Sequence, residues 1–430
     1  MLTLTYHSFT IATNRDQLCG LAVKTLAQRS GASVIQEELD KLHEAFPHLN
    51  TVQLDVCTDK ERLQSLIKEN SIVISLLPYC FHHKVALICI EECKNLVTAS
   101  YVDDEMKGLH QRAVEAGVTI LCEAGLDPGI DHMIAKKCVD ALHSMGGEVT
   151  ELRSVCGGIP ADENTAGCMK YKFSWYPKVV FTSALQPAQC LVNGKIVEFE
   201  KVYEAHEDFT GVLDNYKLEC LPNRDALRYK DVYGIQTASS LFRGTLRYQG
   251  FSKIMQSLTC LGLMNQSAVP ELESNAPDLT WKEFLTTLLG LPSSCTKEDL
   301  EKAVMKKLND DSNQLQTITE LELMSDKIVA KKTTPLDSLC AHLATLLAYV
   351  MYNYTYINDN FVVTPVTMSV LKCARYRKRS GSHLTTPFLT TESIKSETTI
   401  TLPKVFVHLL PSLFTLLPPS LTLHTTCVGR

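Results

Sequence analysis

Asp127 stands beside Pro128 in the stretch LCEAGLDPGIDH at residues 121–132, with glycines at positions 125 and 129. The run VTILC at 118–122 precedes it and reads as a buried strand. Proline fixes φ, and glycine permits backbone conformations closed to other residues. A strand that ends in such a turn, with a carboxylate on it, is where an open α/β sheet presents reactive groups. The same carboxylate could instead cap the next helix. Tyr101 follows the run NLVTAS at 95–100, so it too falls at a strand C-terminal end, as a ligand contact or as a half-buried packing residue.

The elements that must position these residues alternate. Strand patterns at 8–13, 51–56, 71–77, 95–100 and 118–122 are separated by helical patterns at 59–69, 82–92 and 106–116. Residues 17–28 carry apolar side chains at helical spacing, and 34–45 reads as a polar, exposed helix. Strands alternating with helices imply βαβ units on a parallel sheet covered on both faces. The expectation is an α/β, doubly wound, Rossmann-like dinucleotide-binding domain over residues 1–129.

From about residue 130 the rhythm changes. A helix at 134–144 leads to strand-like stretches at 151–156 and 191–199. Helical patterns return at 252–261, 281–289, 296–308 and 336–349. This reads as an α+β domain over 130–349. Residues 350–430 read as a divergent, disordered tail. It is basic at 372–379, and 360–365 is its segment of most strand character. Pro403, Pro411, Pro418 and Pro419 break any spanning helix there.

The formal charge of −6 over 430 residues argues against a nucleic-acid binder, which would carry a basic surface. The 16 cysteines include no C-x-x-C pair and no Cys/His spacing of a structural zinc site, so no metal is expected. They read as reduced intracellular thiols. The first residues carry neither a secretory nor a mitochondrial signal pattern, which leaves cytoplasm or mitochondrial matrix.

Seven segments occur in one order: VISLLPY at 73–79, VTASYV at 97–102, GLDPGIDH at 125–132, CGGIP at 156–160, YKFSW at 171–175, PNRD at 222–225 and RGTLRYQG at 243–250. On these the chain resembles the glutamate-forming saccharopine dehydrogenases, or saccharopine reductases, and the C-terminal half of the animal bifunctional α-aminoadipic semialdehyde synthases. The resemblance implies an oxidoreductase of lysine metabolism. It would interconvert saccharopine with L-glutamate and 2-aminoadipate 6-semialdehyde, with hydride transfer to or from NADP or NAD. It implies a homodimer, or part of a bifunctional lysine-degrading enzyme.

Saccharopine carries three carboxylates and a secondary amine, so its site needs cationic clamps and a group that manages the amine proton. Arg224 and Arg243 lie in the matching substrate motifs and suit bidentate carboxylate binding, with Gly244 and Thr245 beside them. An ion pair of Arg224 with Asp225 is the plainer reading. Asp127 and Tyr101 are the candidates for proton handling, Ser100 matches a substrate contact, and Cys156 is a further catalytic candidate that otherwise reads as buried packing. Candidate cofactor contacts are Thr13, Asn14, Arg15, Asp55, Val56, Ser75, Leu76, Leu77, Leu126, Asp127, Pro128, Ser174 and Trp175. Trp175 could wall the nicotinamide or belong to the core. The end of the 8–13 strand is expected at the adenosine ribose, where Arg15 could pair with a 2′-phosphate and favour NADP.

The sequence departs from the family in two places. It contains no G-x-G-x-x-G loop, which would let backbone N–H groups approach a pyrophosphate, and residues from 351 onward bear no likeness to the family's closing segment. The Rossmann-like domain therefore reads as lacking its first strand, and the chain as truncated at one end and replaced at the other. That leaves a second expectation, an inactive member acting as a binding or oligomerisation module. A reductase for another secondary amine fits less well, because the two arginine motifs suit a tricarboxylate.

Overall fold

The interior residues of β4 (Ile72–Leu76) and β5 (Asn95–Thr98) are buried, Val73, Ile74, Leu96 and Val97 among them, as in strands covered on both faces. The computed structural model describes residues 8–12, 20–25, 51–159, 167–171, 173, 177–210, 216–346, 366–378 and 383–384, of which 8–12, 20–25, 366–378, 383–384, Thr51 and Gln53 are described by backbone alone. They fall into two units. One holds the described residues through Ala141 together with Asp231–Gly234. The other holds Leu142–Lys230 and the described residues from Ile235 onward.

In the first unit β1 (Ser8–Ala12), β2 (Gly20–Thr25), β3 (Thr51–Leu54), β4, β5 and β6 (Ile120–Leu121) form one sheet in the order β3-β2-β1-β4-β5-β6. The order is that of a doubly wound dinucleotide-binding sheet. β2 is parallel to β3, β4 to β5, and β5 to β6. β1 is antiparallel to both β2 and β4. Five strands therefore run one way and the strand at position one runs the other, a correction to the all-parallel reading. The expectation of helix across 17–28 is also corrected, because Gly20–Thr25 is strand. Its Leu21 and Val23 alternate with period two, and in-register partners on both sides outweigh a weak helical pattern.

Helices α1 (Lys60–Lys68), α2 (His82–Glu91), α3 (Asp104–Gly108), α4 (His110–Glu115) and α5 (Ile130–Ser144) follow the strands. The single helix expected at 106–116 is two, parted at Leu109. Leu63, Leu66 and Ile67 of α1 and Val85, Ile88 and Cys89 of α2 sit three and four residues apart and are buried in one cluster with Leu54, Val73 and Leu96. The helix expected at 34–45 lies outside the described residues.

The second unit is built on a mixed sheet. β7 (Gly147–Ile159) pairs in parallel with β12 (Ser240–Tyr248). β10 (Glu207–Phe209) and β11 (Leu218–Pro222) extend it beyond β12. The stretch expected as one strand at 191–199 is a hairpin, β8 (Ala188–Val192) and β9 (Lys195–Phe199), turned at Asn193-Gly194.

The reading of the tail as disordered is corrected as well. β13 (Val366–Lys378) pairs antiparallel with β7 from Val366↔Ile159 to Lys378↔Gly147, and β14 (His383–Leu384) pairs with β13. The 13-residue β7 offers an edge that a Val-, Leu- and Tyr-containing segment can complete, and the basic residues 372–378 are strand. Residues 360–365, first taken as the segment of most strand character, lie outside the described residues.

The core of this unit gathers α6 (Pro177–Ala184), α8 (Phe251–Cys260), α9 (Trp281–Leu288), α10 (Lys297–Lys307), α11 (Ser312–Glu320) and α12 (Pro335–Leu346) around Trp281, Phe284 and Phe181; the short α7 (Tyr229–Tyr233), which precedes β12 in the chain, belongs to the first unit from Asp231 on. α9 begins in a capping box between Thr280 and Glu283. Trp281 Nε1 donates to His342 Nδ1 at 3.1 Å, and His342 Nε2 is 2.9 Å from Leu321 O. Among the described residues no helix is long and apolar enough to cross a membrane, and no cluster of His, Cys, Asp and Glu could hold a metal.

Candidate active site

Within the first unit, the C-terminal ends of the neighbouring strands β5 and β6 bring the two leading candidates together. The chain beyond these strands stays paired, Ala124 N donating to Thr98 O at 2.9 Å and Glu123 N to Ser100 O at 3.1 Å. That pairing places Tyr101 against the turn that follows β6, and its hydroxyl donates to Asp127 Oδ1 at 2.6 Å. Both side chains are half-buried. A phenol that donates to a carboxylate at this distance makes a charge-assisted hydrogen bond, and either group can take part in proton transfer.

The turn is held by its own backbone. Gly125 N donates to Pro128 O at 3.0 Å, Ile130 N to Gly125 O at 2.9 Å, and Gly125 pairs with Gly129 as an isolated bridge. The Asp127–Pro128 bond is cis. A Cβ on Gly129 would lie 2.6 Å from Gly125 N and 2.7 Å from Glu123 O, and closer still to Gly125 O, so only glycine fits. In the first turn of α5, Asp131 Oδ1 accepts from Gly129 N at 2.8 Å. Asp127 in turn accepts from the Tyr101 hydroxyl.

Beneath the turn lies a buried polar group that the sequence reading missed. His132 Nδ1 is 2.6 Å from Tyr233 OH and 3.6 Å from Asp131 Oδ2, and its Nε2 is 3.7 Å from Glu123 Oε2. Glu123 Oε1 accepts from Val102 N at 3.1 Å. Two carboxylates around one imidazole tie the start of α5 to the chain that carries Tyr101. Tyr233 stands 101 residues from His132, so no local pattern could announce the cluster.

A second missed residue is His82, at the start of α2. Its Nδ1 is 3.0 Å from Ser75 Oγ and its Nε2 is 2.9 Å from Ser100 Oγ. His82 is 3% exposed, and burial pushes its imidazole down to about 4, against a weaker upward pull from Asp103. Ser75 is wholly buried. Leu76, Leu126 and Asp127 are half-buried on this edge, whereas Leu77, Val56 and Pro128 are buried. The Asp55 carboxylate accepts from Cys57 N at 2.7 Å and shapes its own loop.

Thr13, Asn14, Arg15, Ser174 and Trp175 lie outside the described residues. The expectation that the 8–13 strand ends at the adenosine ribose is corrected. Ala12 lies opposite Gly20 and Ile72, the first residues of β2 and β4, at the edge away from Ser75. β1's neighbour β2 ends on the same edge as Ser75, at Thr25.

The second unit holds the arginines. Arg243, on β12, is 2% exposed, and its guanidinium stacks 4.5 Å from the Tyr229 ring centre. Arg224 is exposed with a left-handed backbone (φ 51°), and its carbonyl accepts from Gln189 N. Asn223 N donates to Arg243 O at 2.9 Å, which joins the two motifs. Asp225 accepts from Leu227 N at 2.9 Å, so its carboxylate shapes the turn. Gly244 leaves room for Cys220 Sγ and the Phe242 ring. Thr245 is half-buried in register with Cys156, a buried thiol outside any disulfide.

Comparison with known proteins places both units. Residues 20–121 match the model of the saccharopine dehydrogenase NADP binding domain, and residues 125–385 match that of the saccharopine dehydrogenase C-terminal domain. The latter match takes in β13 and β14. The chain is 39% identical over 319 residues to mitochondrial alpha-aminoadipic semialdehyde synthase of Bos taurus, covering 74% of this chain and 34% of that protein. It is 36% identical over 305 residues to saccharopine dehydrogenase [NADP(+), L-glutamate-forming] of Saccharomyces cerevisiae, covering 69% and 67%. The solved apo form of the S. cerevisiae L-Glu-forming enzyme superposes with a TM-score of 0.62 at 34% identity, over 72% of this chain and 70% of that one. The chain thus spans about a third of the length of the animal relatives and about two thirds of the fungal ones.

Proposed function

Because the chain belongs to the saccharopine dehydrogenase family, we propose that it interconverts saccharopine with L-glutamate and 2-aminoadipate 6-semialdehyde. The observation that carries this reading is the Tyr101–Asp127 pair at 2.6 Å, on the C-terminal edge of neighbouring parallel strands. NADP is the cofactor that the matched domain model and the fungal relatives name.

The half-buried Leu76 and Leu126 offer apolar surface that suits the nicotinamide end of a dinucleotide. The pyrophosphate end is another matter, since the sequence contains no G-x-G-x-x-G loop, and no role is assigned there. Bound NADP+ supplies the hydride acceptor. Asp127, with Tyr101 as donor, takes the proton of the secondary amine and returns one to the leaving glutamate nitrogen after water has added to the imine. Arg224 and Arg243 hold substrate carboxylates, with Ser100, Gly244 and Thr245 as further contacts and Cys156 as a subsidiary candidate. Residues through 129 serve the nucleotide, and those from 130 serve the substrate and subunit pairing as a homodimer. An inactive module is not favoured, since the named relatives are enzymes.

The test is NADPH formation at 340 nm from saccharopine and NADP+ by the full chain, with glutamate measured as product. Asp127→Asn should lower turnover, leave the circular dichroism spectrum unchanged and remove one limb of the pH–rate profile. Full activity with an unchanged profile in that variant would end the assignment of Asp127. Light scattering tests the dimer, and fractionation of cells expressing the tagged protein decides between cytoplasm and mitochondrial matrix.

A further inference from the structure

His82 bridges two hydroxyls that belong to different strand ends, Ser75 on β4 and Ser100 after β5. A neutral imidazole has one N–H and one bare nitrogen, so it donates to one of these oxygens and accepts from the other. Which way round is settled by burial. Ser75 is wholly buried, and among the described residues His82 Nδ1 is the one side-chain partner recorded for its hydroxyl. A buried hydroxyl that failed to donate would leave its proton without an acceptor, whereas an unused lone pair costs less. Ser75 therefore donates to Nδ1, and the ring proton sits on Nε2. Nε2–H then donates to Ser100 Oγ across 2.9 Å. Ser100 is half-buried, so its own hydroxyl proton is turned away from His82, toward the ligand edge that holds Tyr101 and Asp127.

We propose that His82 is a positioning residue that, through Ser75 and a single ring tautomer, makes Ser100 a hydrogen-bond donor to a carboxylate of the bound amino-acid substrate. The direction matters chemically. Were the tautomer reversed, Ser100 would spend its proton on Nε2 and present only lone pairs to an anion, which would repel it. Burial keeps the ring neutral around pH 7, and a charged ring would donate to both serines. The groups that face the ring are Ser75 from β4, Ser100 from the segment after β5, and, as the nearby charge, Asp103 at the start of α3. The carboxylate ligand rests on the proposed saccharopine site, whereas the placement of the ring proton does not.

Long-range ¹H–¹⁵N spectra of the full chain, labelled at histidine, read the tautomer directly. His342 serves as the internal reference, because the donor-only indole of Trp281 fixes its Nδ1 as acceptor. His82 should show an Nε2-protonated ring that does not titrate between pH 6 and 8, and Ser75→Ala should let both tautomers appear. A wild-type ring protonated on Nδ1, averaged between tautomers, or titrating in that range overturns the proposal. Saccharopine titrated into His82→Gln should bind at least about tenfold more weakly than to wild type, as for loss of one hydrogen bond to a charged group, with NADPH affinity retained. Wild-type affinity for saccharopine in that variant also overturns it. Failure of the wild-type chain itself to bind saccharopine would instead remove the proposed substrate, and the imidazole spectrum would still decide where the proton lies.

Discussion

Replacing Gly129 by alanine tests whether the turn between β6 and α5 is what aims Asp127. The added Cβ would meet backbone atoms on three sides, at 2.6 Å from Gly125 N, 2.7 Å from Glu123 O and nearer still to Gly125 O, whereas ordinary contact begins at 3.4 Å. None of these is a flexible side chain, so the two arms of the turn must part by close to an ångström. Three hydrogen bonds span that gap: Gly125 N to Pro128 O at 3.0 Å, Ile130 N to Gly125 O at 2.9 Å, and Asp131 N to Leu126 O at 3.1 Å. Their loss comes to roughly 3 kcal/mol at a net ~1 kcal/mol each. The same displacement stretches the 2.6 Å contact from Tyr101 to Asp127 past hydrogen-bonding range. A misplacement of about 1 Å at a reacting group lowers kcat/KM on the order of 100-fold. Gly146 provides the control. Its φ is +72° but nothing lies within 4 Å of its Cβ position, so Gly146→Ala should cost only about 1–2 kcal/mol of left-handed strain and leave kinetics alone. Urea unfolding followed by circular dichroism, with saccharopine kinetics on the same samples, measures both. If Gly129→Ala lost no more stability than Gly146→Ala and kept kcat/KM within about threefold of wild type, the turn would not be what holds Asp127.

Three further outcomes are expected. Arg224→Ala should raise KM for saccharopine far more than for NADP, by about 2–4 kcal/mol where bound substrate shields the pair from water, with the fold intact because the side chain is exposed in the free protein. Arg243→Ala should do the same and also destabilise, since it removes a buried cation stacked on Tyr229. Unchanged saccharopine KM in both would refute the clamp. Stability should fall as pH drops from about 6.5 to 4, because the unfolded chain protonates an imidazole that the folded chain holds neutral to about 4. Above 6.5 this contribution is fully present, and it amounts to roughly 3 kcal/mol. His82→Gln should flatten the slope of unfolding free energy against pH, and an unaltered slope would refute the assignment. Glu219, 3% exposed, accepts from Gly250 N, Ser252 N and Ser252 Oγ at 3.0, 2.7 and 2.6 Å where α8 begins, so Glu219→Gln should cost about 2–3 kcal/mol in chemical denaturation.

What the sequence by itself determined is whatever local pattern and short motif can carry. The apolar runs at 71–77 and 95–100 have to be buried central strands, and β4 and β5 lie there. The glycine-flanked Asp127-Pro128 has to be a turn at a strand end, and the family order of seven motifs was readable without coordinates. Local pattern failed wherever pairing at a distance decides. Residues 20–25 carry a weak helical period, but β3 and β1 claim them from either side as a strand. The segment 366–378 looks like a polar tail until β7 supplies twelve partners in antiparallel register. The direction of β1 likewise follows from neighbours on both sides and not from its five residues. In the site the division is the same. Asp127 and Tyr101 were legible as strand-end residues, but that they touch was decided by the adjacency of β5 and β6. His82 reads in sequence as an ordinary residue of a helical first turn. Only the fold brings Ser75 and Ser100, 7 and 18 residues away, to its two nitrogens and buries the imidazole and Ser75 away from water. Hydrogen bonds between residues distant in sequence leave no period to detect, and burial, which gives them their strength, is a property of the packed sheet alone.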